Sequence, residues 1–233
     1  MKGTTHMAFG GMLGLVTAVA TYEGLGVGDP IIYGSTILVG SGIGALIPDI
    51  DAEGATITRK LGIAGTLVAK GLKHRGITHT LLGFFVFTLA ALGITSLMSS
   101  LYSGGIFGRI LIALVMTFIF SVMYKRVKLV RYIMKKLTEQ SAKVTALISK
   151  VVVFILAMFL ADYLVQFMFV FGASLSLGYL SHLISDSFNV SGCPWLFPFV
   201  TKNFSIGKLK TGVHDKLFLL GSLVCTVAML ILI

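Results

Sequence analysis

The chain has 233 residues, 56% of them hydrophobic and 12% charged, with a mean hydropathy of +0.95 and a formal net charge of +10. Soluble globular domains are about 45–50% apolar and about 25% charged, so this composition excludes an ordinary water-soluble domain and indicates a polytopic membrane protein. Cys193 and Cys225 form neither a CxxC pair nor a zinc-knuckle spacing, which argues against a disulfide framework or a thiolate metal site; the excess of positive charge is that of cytoplasmic loops facing anionic lipid, and nucleic acid is not an expected partner.

From the N-terminus, Lys2, the apolar run from Met7 and the Ala18-Val19-Ala20 triplet together have the outline of a cleavable signal peptide. Gly10, Gly11 and Gly14 interrupt that run and His6 lies in its charged region, so the segment is expected to remain as the first helix. The uncharged runs Met7–Tyr22, Pro30–Pro48, Thr80–Gly108, Ile110–Tyr124, Val151–Phe171 (interrupted by Asp162), Ala173–Ser185 and Leu217–Ile233 mark candidate spans. A full crossing takes about 20 residues and about 17 suffice, so several are short. Thr80–Gly108 is too long for one straight span, and Ser99, Ser100, Ser103, Gly104 and Gly105 read as a loop after a helix ending near Met98. Glycines in the first two helices, including Gly34, Gly40, Gly42 and Gly44, favour close packing in lipid. The expected fold is all-α: one integral membrane domain over residues 1–233, a bundle of about 6–7 helices with no internal repeat and no soluble domain.

Lys and Arg set the orientation. Residues 125–150 carry eight basic residues and one acid, Glu139, and are expected to be a cytoplasmic amphipathic helix on anionic headgroups. Counting spans from there makes the N-terminus and Arg59–His79 cytoplasmic and the loop with Glu23 and Asp29 external. A hairpin turn near Gly172 would return the chain from Ala173 inward. Eighteen of the 19 basic residues then lie inside, leaving Arg109 outside, and the turn is expected on that ground.

This topology gathers polar residues from distant segments. His6, Asp49, Asp51, His74 and His79 fall at the cytoplasmic end, and His182, Asp186, His214 and Asp215 join them. His182 and Asp186 in "SHLISDSF" are i and i+4 on one helix face. In "PDID", Pro48 ends a helix and leaves Asp49 and Asp51 on a turn, costly at a membrane boundary unless neutralised. His74 and His79 flank Gly76 in "HRGITH" and can converge on one centre across that turn. Each signal alone is ordinary: interfacial histidines are commonly surface hydrogen-bonding groups, and Pro-Asp turns are loop chemistry. Together they place all five histidines and four of the nine acids on one face, the pattern of a metal site. Imidazole and carboxylate without thiolate suit a divalent metal, Zn²⁺, Mn²⁺ or Fe, better than Mg²⁺ or Ca²⁺.

"TTHMAFGG", "IPDID", "HRGITHT", "GYLSHLISDSF" and "PWLFPF…GKLKTG" occur in the order found in the YdjM-like membrane-bound, metal-dependent hydrolases, also called LexA-regulated inner-membrane hydrolases, which the chain resembles over nearly its whole length. The histidine–carboxylate pattern is more distantly similar to zinc-dependent phospholipase C and single-strand nucleases. The resemblance implies a multi-pass protein of the bacterial cytoplasmic (inner) membrane, a stress-response setting, and two or more ions held by His6, Asp49, His79, His182 and Asp186. Asp51 and His74 match positions that serve as ligand, supporting residue or proton shuttle. "TGVHDK" departs from the family's pattern, where a glutamate is expected, which leaves the role of His214 and Asp215 open.

The function expected on this basis is hydrolysis of a phosphoester of a membrane lipid or lipid-linked, amphiphilic phosphorylated substrate. Asp51 would accept the water proton, and Arg75 with Lys73 would offset phosphate charge. Two other readings compete. Asp162, with Gln166 one turn on, could carry a cation or proton in a transporter. A purely structural metal could pin the helix ends of a non-catalytic protein. The aromatic and basic stretch Cys193–Lys210 suits either a headgroup-level lid or an anchored surface loop.

Overall fold

The computed structural model describes residues 3–25, 30–52, 54–71, 76–102, 105–124, 132, 136, 142–207, 209 and 215–232. Within these the protein is helical, with isolated backbone bridges Asn189–Leu209 and Cys193–Phe204 in place of any sheet. The helices are α1 (Gly3–Leu25), α2 (Pro30–Gly44), α3 (Thr56–Lys60), α4 (Ile63–Gly71), α5 (Leu81–Leu101), α6 (Ile106–Tyr124), α7 (Ala142–Phe159), α8 (Ala161–Leu164), α9 (Met168–Ser187) and α10 (Asp215–Leu232). Short 3₁₀ turns cover Pro48–Asp51, Ile77–His79 and Val165–Phe167.

Three segments among the described residues are long and apolar enough to cross a membrane: Ile31–Asp51, Leu81–Leu101 and Ala161–Ser187. The 21 residues of the second, at about 1.5 Å each, match a hydrocarbon layer of about 30 Å. Burial runs opposite to that of a soluble protein. Phe85, Leu89, Phe107 and Phe159 face outward, while His6, His79, His182, Ser41 and Ser185 are enclosed. Lipid is the solvent this arrangement fits, because the enclosed hydroxyls close on carbonyls within the bundle, as Ser41 Oγ does on Ile37 O at 2.6 Å.

The chain divides into two compact units. The first comprises residues 1–94 and 170–233, where α1 packs on α2 and on α10. Its apolar core is Tyr179, Leu183 and Cys193, covered by Ile47, Phe84, Phe87 and Trp195. Here α2 and α9 touch through backbone: a Cβ on Gly178 would lie 2.0 Å from Ser41 O, and one on Gly44 would lie 2.0 Å from Leu175 O. Only glycine permits that approach. The second unit, residues 95–169, packs α6 against α7 around Ile112, Ala161 and Met168. In it Asp162 accepts from Arg109 Nη2 at 2.5 Å and from Tyr102 Oη at 2.7 Å.

Two expectations are corrected. No turn forms at Gly172, which lies inside the continuous helix α9; the regular α-helix breaks earlier, at Leu160 and over Val165–Phe167. The charge count asked for a reversal, but a lone glycine does not break a helix whose hydrogen bonds have no water to compete for them. The helix placed at Thr80–Met98 spans Leu81–Leu101, absorbing Ser99 and Ser100 of the residues read as loop, while Ser103 and Gly104 lie outside the described residues; Ser100 Oγ bonds back to Ser96 O at 2.9 Å. Of the basic helix expected over 125–150, residues 125–131, 133–135 and 137–141 lie outside the described residues, and from Ala142 the chain is already in α7.

Candidate metal centre

Four helix ends converge in the first unit. His6 stands in the first turn of α1. Asp49 and Asp51 stand in the 3₁₀ turn that Pro48 opens after α2. His79 closes the 3₁₀ turn before α5, and His182 and Asp186 share one face near the end of α9. His6 and His182 stack with ring centroids 3.8 Å apart at 19°, and His79 meets His182 edge-on. All three rings are 1% exposed or less.

Whether these residues suit a metal ion depends on which nitrogen each ring leaves over. His182 Nδ1 is 2.7 Å from Ala45 O, which can only accept, so Nδ1 carries the proton. His79 Nδ1 lies 3.2 Å from Asp51 Oδ2, while Thr78 Oγ1 donates to that same oxygen at 2.5 Å. His6 Nδ1 lies 2.7 Å from Ser185 Oγ, whose own proton goes to His182 O, so this nitrogen is again the donor. Each ring thus turns Nδ1 to a backing group and Nε2 toward the other rings, the arrangement in which Nε2 could meet a metal ion.

Those atoms face a common centre. His79 Nε2 and His182 Nε2 are 3.2 Å apart. Asp186 Oδ2 lies 3.8 Å from each, and Asp49 Oδ1 lies 3.8 Å from His182 Nε2 and 4.0 Å from His79 Nε2. On the other side Asp186 Oδ1 is 3.4 Å from His6 Nε2. A tetrahedral ion with bonds of about 2.0–2.1 Å sets neighbouring ligand atoms about 3.3 Å apart, close to the shorter of these separations. Two sets of potential ligands result, His6–His182–Asp186 and Asp49–His79–His182. Because Ala45 occupies Nδ1 of the shared His182, that ring offers a single ligand atom, Nε2, and could serve one of the two sets at a time. The donor set fits the expected metal.

The structure thus brings together His6, Asp49, His79, His182 and Asp186, with Asp51 directly behind His79. His74, Arg75, Lys73 and His214 lie outside the described residues. Asp215 opens α10 and is buried, but belongs to neither ligand set. Four supporting groups escaped the sequence reading: Ala45 O, Thr78, Ser185 and Asn189. Asn189 Nδ2 donates to Asp186 Oδ1 at 3.0 Å, while its buried Oδ1 has no hydrogen-bond partner among the described residues. Its i+3 spacing from Asp186 was the one signal that could have revealed it.

The chain is 37% identical over 82 residues to the uncharacterized protein YvsG of Bacillus subtilis (strain 168); the match covers 35% of this chain and 46% of that protein, about half its length. No solved structure matches. The model of the YdjM inner membrane protein family matches residues 1–130 and 144–232, which include all five converging side chains. With helices long and apolar enough to cross a membrane, a histidine–carboxylate cluster at their ends and a match over nearly its whole length, the chain belongs to the YdjM inner membrane protein family.

Proposed function

We propose that this protein is a metal-dependent hydrolase of the bacterial inner membrane that cleaves a phosphoester of a lipid or lipid-linked substrate at the cytoplasmic interface. The observation that carries the reading is the convergence of three Nε2 atoms and two carboxylates at the ends of apolar helices. His6, Asp49, His79, His182 and Asp186 would hold the ion, and Zn²⁺, Mn²⁺ or Fe suits that donor set. Such an ion, when bound, supplies Lewis-acid activation of water and of a phosphoryl oxygen.

The chain's own groups do the positioning. Asp51 and Thr78 fix the His79 ring, Ala45 O fixes His182, and Ser185 fixes His6. The Asp51 carboxylate is engaged behind His79, which supports a positioning role for it in place of the general base expected from sequence. Asp49 is the least enclosed of the five, its side chain 21% exposed, so substrate approaches on its side. Lys73, His74 and Arg75, a few residues before His79, remain the groups proposed to meet phosphate and relay a proton. An amphiphile is the favoured substrate class, because the cluster sits where membrane-spanning helices end.

The cytoplasmic assignment no longer needs a turn at Gly172. Contact between His79 and His182 itself places the end of α9 level with the segment before α5. In the sequence, ten of the chain's 19 basic residues, Lys2, Arg59, Lys60, Lys70, Lys73, Arg75, Lys202, Lys208, Lys210 and Lys216, fall in the segments adjoining those ends, which supports a cytoplasmic side for them. Metal analysis of the purified protein, paired with a panel of phosphorylated lipids, tests the function. His182→Ala and Asp186→Ala should each lose metal and hydrolysis together. Full turnover with undiminished metal in both variants would overturn the reading.

A further inference from the structure

Beyond the metal cluster, the first unit carries a loop whose inner side is pinned and whose outer side is apolar. Cys193 and Phe204 exchange two backbone hydrogen bonds of 2.9 Å, and Ile206 N–H reaches Ser187 O at 2.8 Å. Gly192 holds the bend at φ +63°, where a Cβ would come within 2.6 Å of Phe204 O. Trp195 Nε1 donates to Ser187 Oγ at 2.7 Å, Leu81 N–H donates to Trp195 O at 2.9 Å, and the Cys193 thiol reaches His79 O at 3.1 Å. The loop is thereby fastened to the backbone of a proposed metal ligand.

Its outer side shows Leu196, Phe199 and Phe204, with Phe199 86% exposed. Leu196 and Phe204 line a groove of about 450 Å³ together with Trp195, Val200, Lys202 and Asn203, within the range of about 300–1,000 Å³ seen for small-ligand sites. A loop held this firmly gains nothing for its own folding by displaying three large apolar side chains, so the display points to an apolar neighbour. Two observations say which. Ser187 ends the span Ala161–Ser187, so the loop starts at the bilayer boundary, where aromatic side chains sit at headgroup level. From 187 to 214 the sequence has three lysines and no acid.

We propose that this loop is a docking surface for an anionic phospholipid, with an acyl chain in the groove along Leu196 and Phe204, the exposed Phe199 entering the apolar layer from the same loop, and the phosphate against the Lys202 ammonium. A lysine reaching from an apolar groove to an anionic headgroup is the favourable arrangement at an interface, since its stem stays in the apolar layer while its charge meets the phosphate. The docking does not depend on hydrolysis. If the cluster beside it turns over lipid, this is where the lipid waits, separated from His79 by Cys193 and Trp195.

Trp195 is the only tryptophan of the chain and borders the groove, so its fluorescence reports occupancy directly. Full-length protein is reconstituted in vesicles in which either phosphatidylglycerol or phosphatidylcholine carries brominated acyl chains, and quenching is titrated against mole fraction. Brominated phosphatidylglycerol should quench at the lower mole fraction, and iodide in the buffer should quench weakly. Lys202→Ala should shrink the preference for the anionic lipid by about fivefold, one lysine's contribution near a charged membrane. Phe199→Asp, on an exposed side chain, should lower quenching by both lipids while metal content stays unchanged. Strong iodide quenching without lipid quenching would put the loop in water, and protection from both quenchers would mean a second protein covers it. Either result overturns the proposal, as does equal quenching by the two lipids that Lys202→Ala leaves unaltered. Absence of phosphoesterase activity leaves it standing, so its failure and that of the hydrolase reading are told apart.

Discussion

His79 and His182 meet through their Nε2 atoms at 3.2 Å, and each ring is held from behind at Nδ1, by Asp51 and by the Ala45 carbonyl. With Nδ1 of each ring turned to its own backing acceptor, the two Nε2 atoms face each other at a spacing that a shared cation would suit. The backing groups therefore matter as much as the ligands.

Asp51→Asn keeps an acceptor behind His79 but removes its charge. Metal affinity, measured by competition with a chromogenic chelator, should fall about 10- to 100-fold, the usual effect of disturbing the partner of a metal-bound imidazole. Unchanged affinity with lost turnover would instead return Asp51 to the role of base.

Removing metal should soften the protein. An ion bound at about 100 times its dissociation constant contributes about 2.7 kcal/mol, so chelation should lower the melting temperature in detergent and re-addition of Zn²⁺ should restore it. His182→Ala should melt at the same temperature with and without chelator. A wild-type melting curve indifferent to chelator would speak against a bound ion.

Gly178→Ala should be disproportionately damaging. The added methyl would press on Ser41 O and also lie 2.7 Å from Ala45 N, in the turn whose carbonyl holds His182. A loss of about 1–3 kcal/mol, together with weakened metal binding, is expected on overpacking grounds. Gly34→Ala, whose Cβ would meet nothing within 4 Å, should change neither and serves as the control.

Asp162→Asn separates hydrolase from transporter. The Asp162 carboxylate is engaged by Arg109 and Tyr102, so neutralising it should lower thermal stability in detergent and leave metal content at the histidine cluster unaltered. Metal flux into proteoliposomes that vanishes in this variant would favour transport.

Four of the five candidate ligands were legible because each occupies a place the chain marks locally. Pro48 announces the turn with Asp49, Gly76 the turn before His79, and the four-residue interval puts His182 and Asp186 on one face. Their partners were not legible, since a carbonyl at 45 and a hydroxyl at 185 act on rings 137 and 179 residues away in sequence. The misplaced turn at Gly172 has a related cause. Counting charges decides which side of the membrane a loop occupies, but says nothing about where a helix yields, and here it yields beside Leu160.

The hydrogen bond from His182 to Ala45 links two matters usually considered apart. Ala45 keeps its place because α2 and α9 are free of side chains where they cross, so the fit of two greasy rods deep in one layer governs the tautomer of a ring at its edge. Loosening the bundle would detune the chemistry without touching a single ligand.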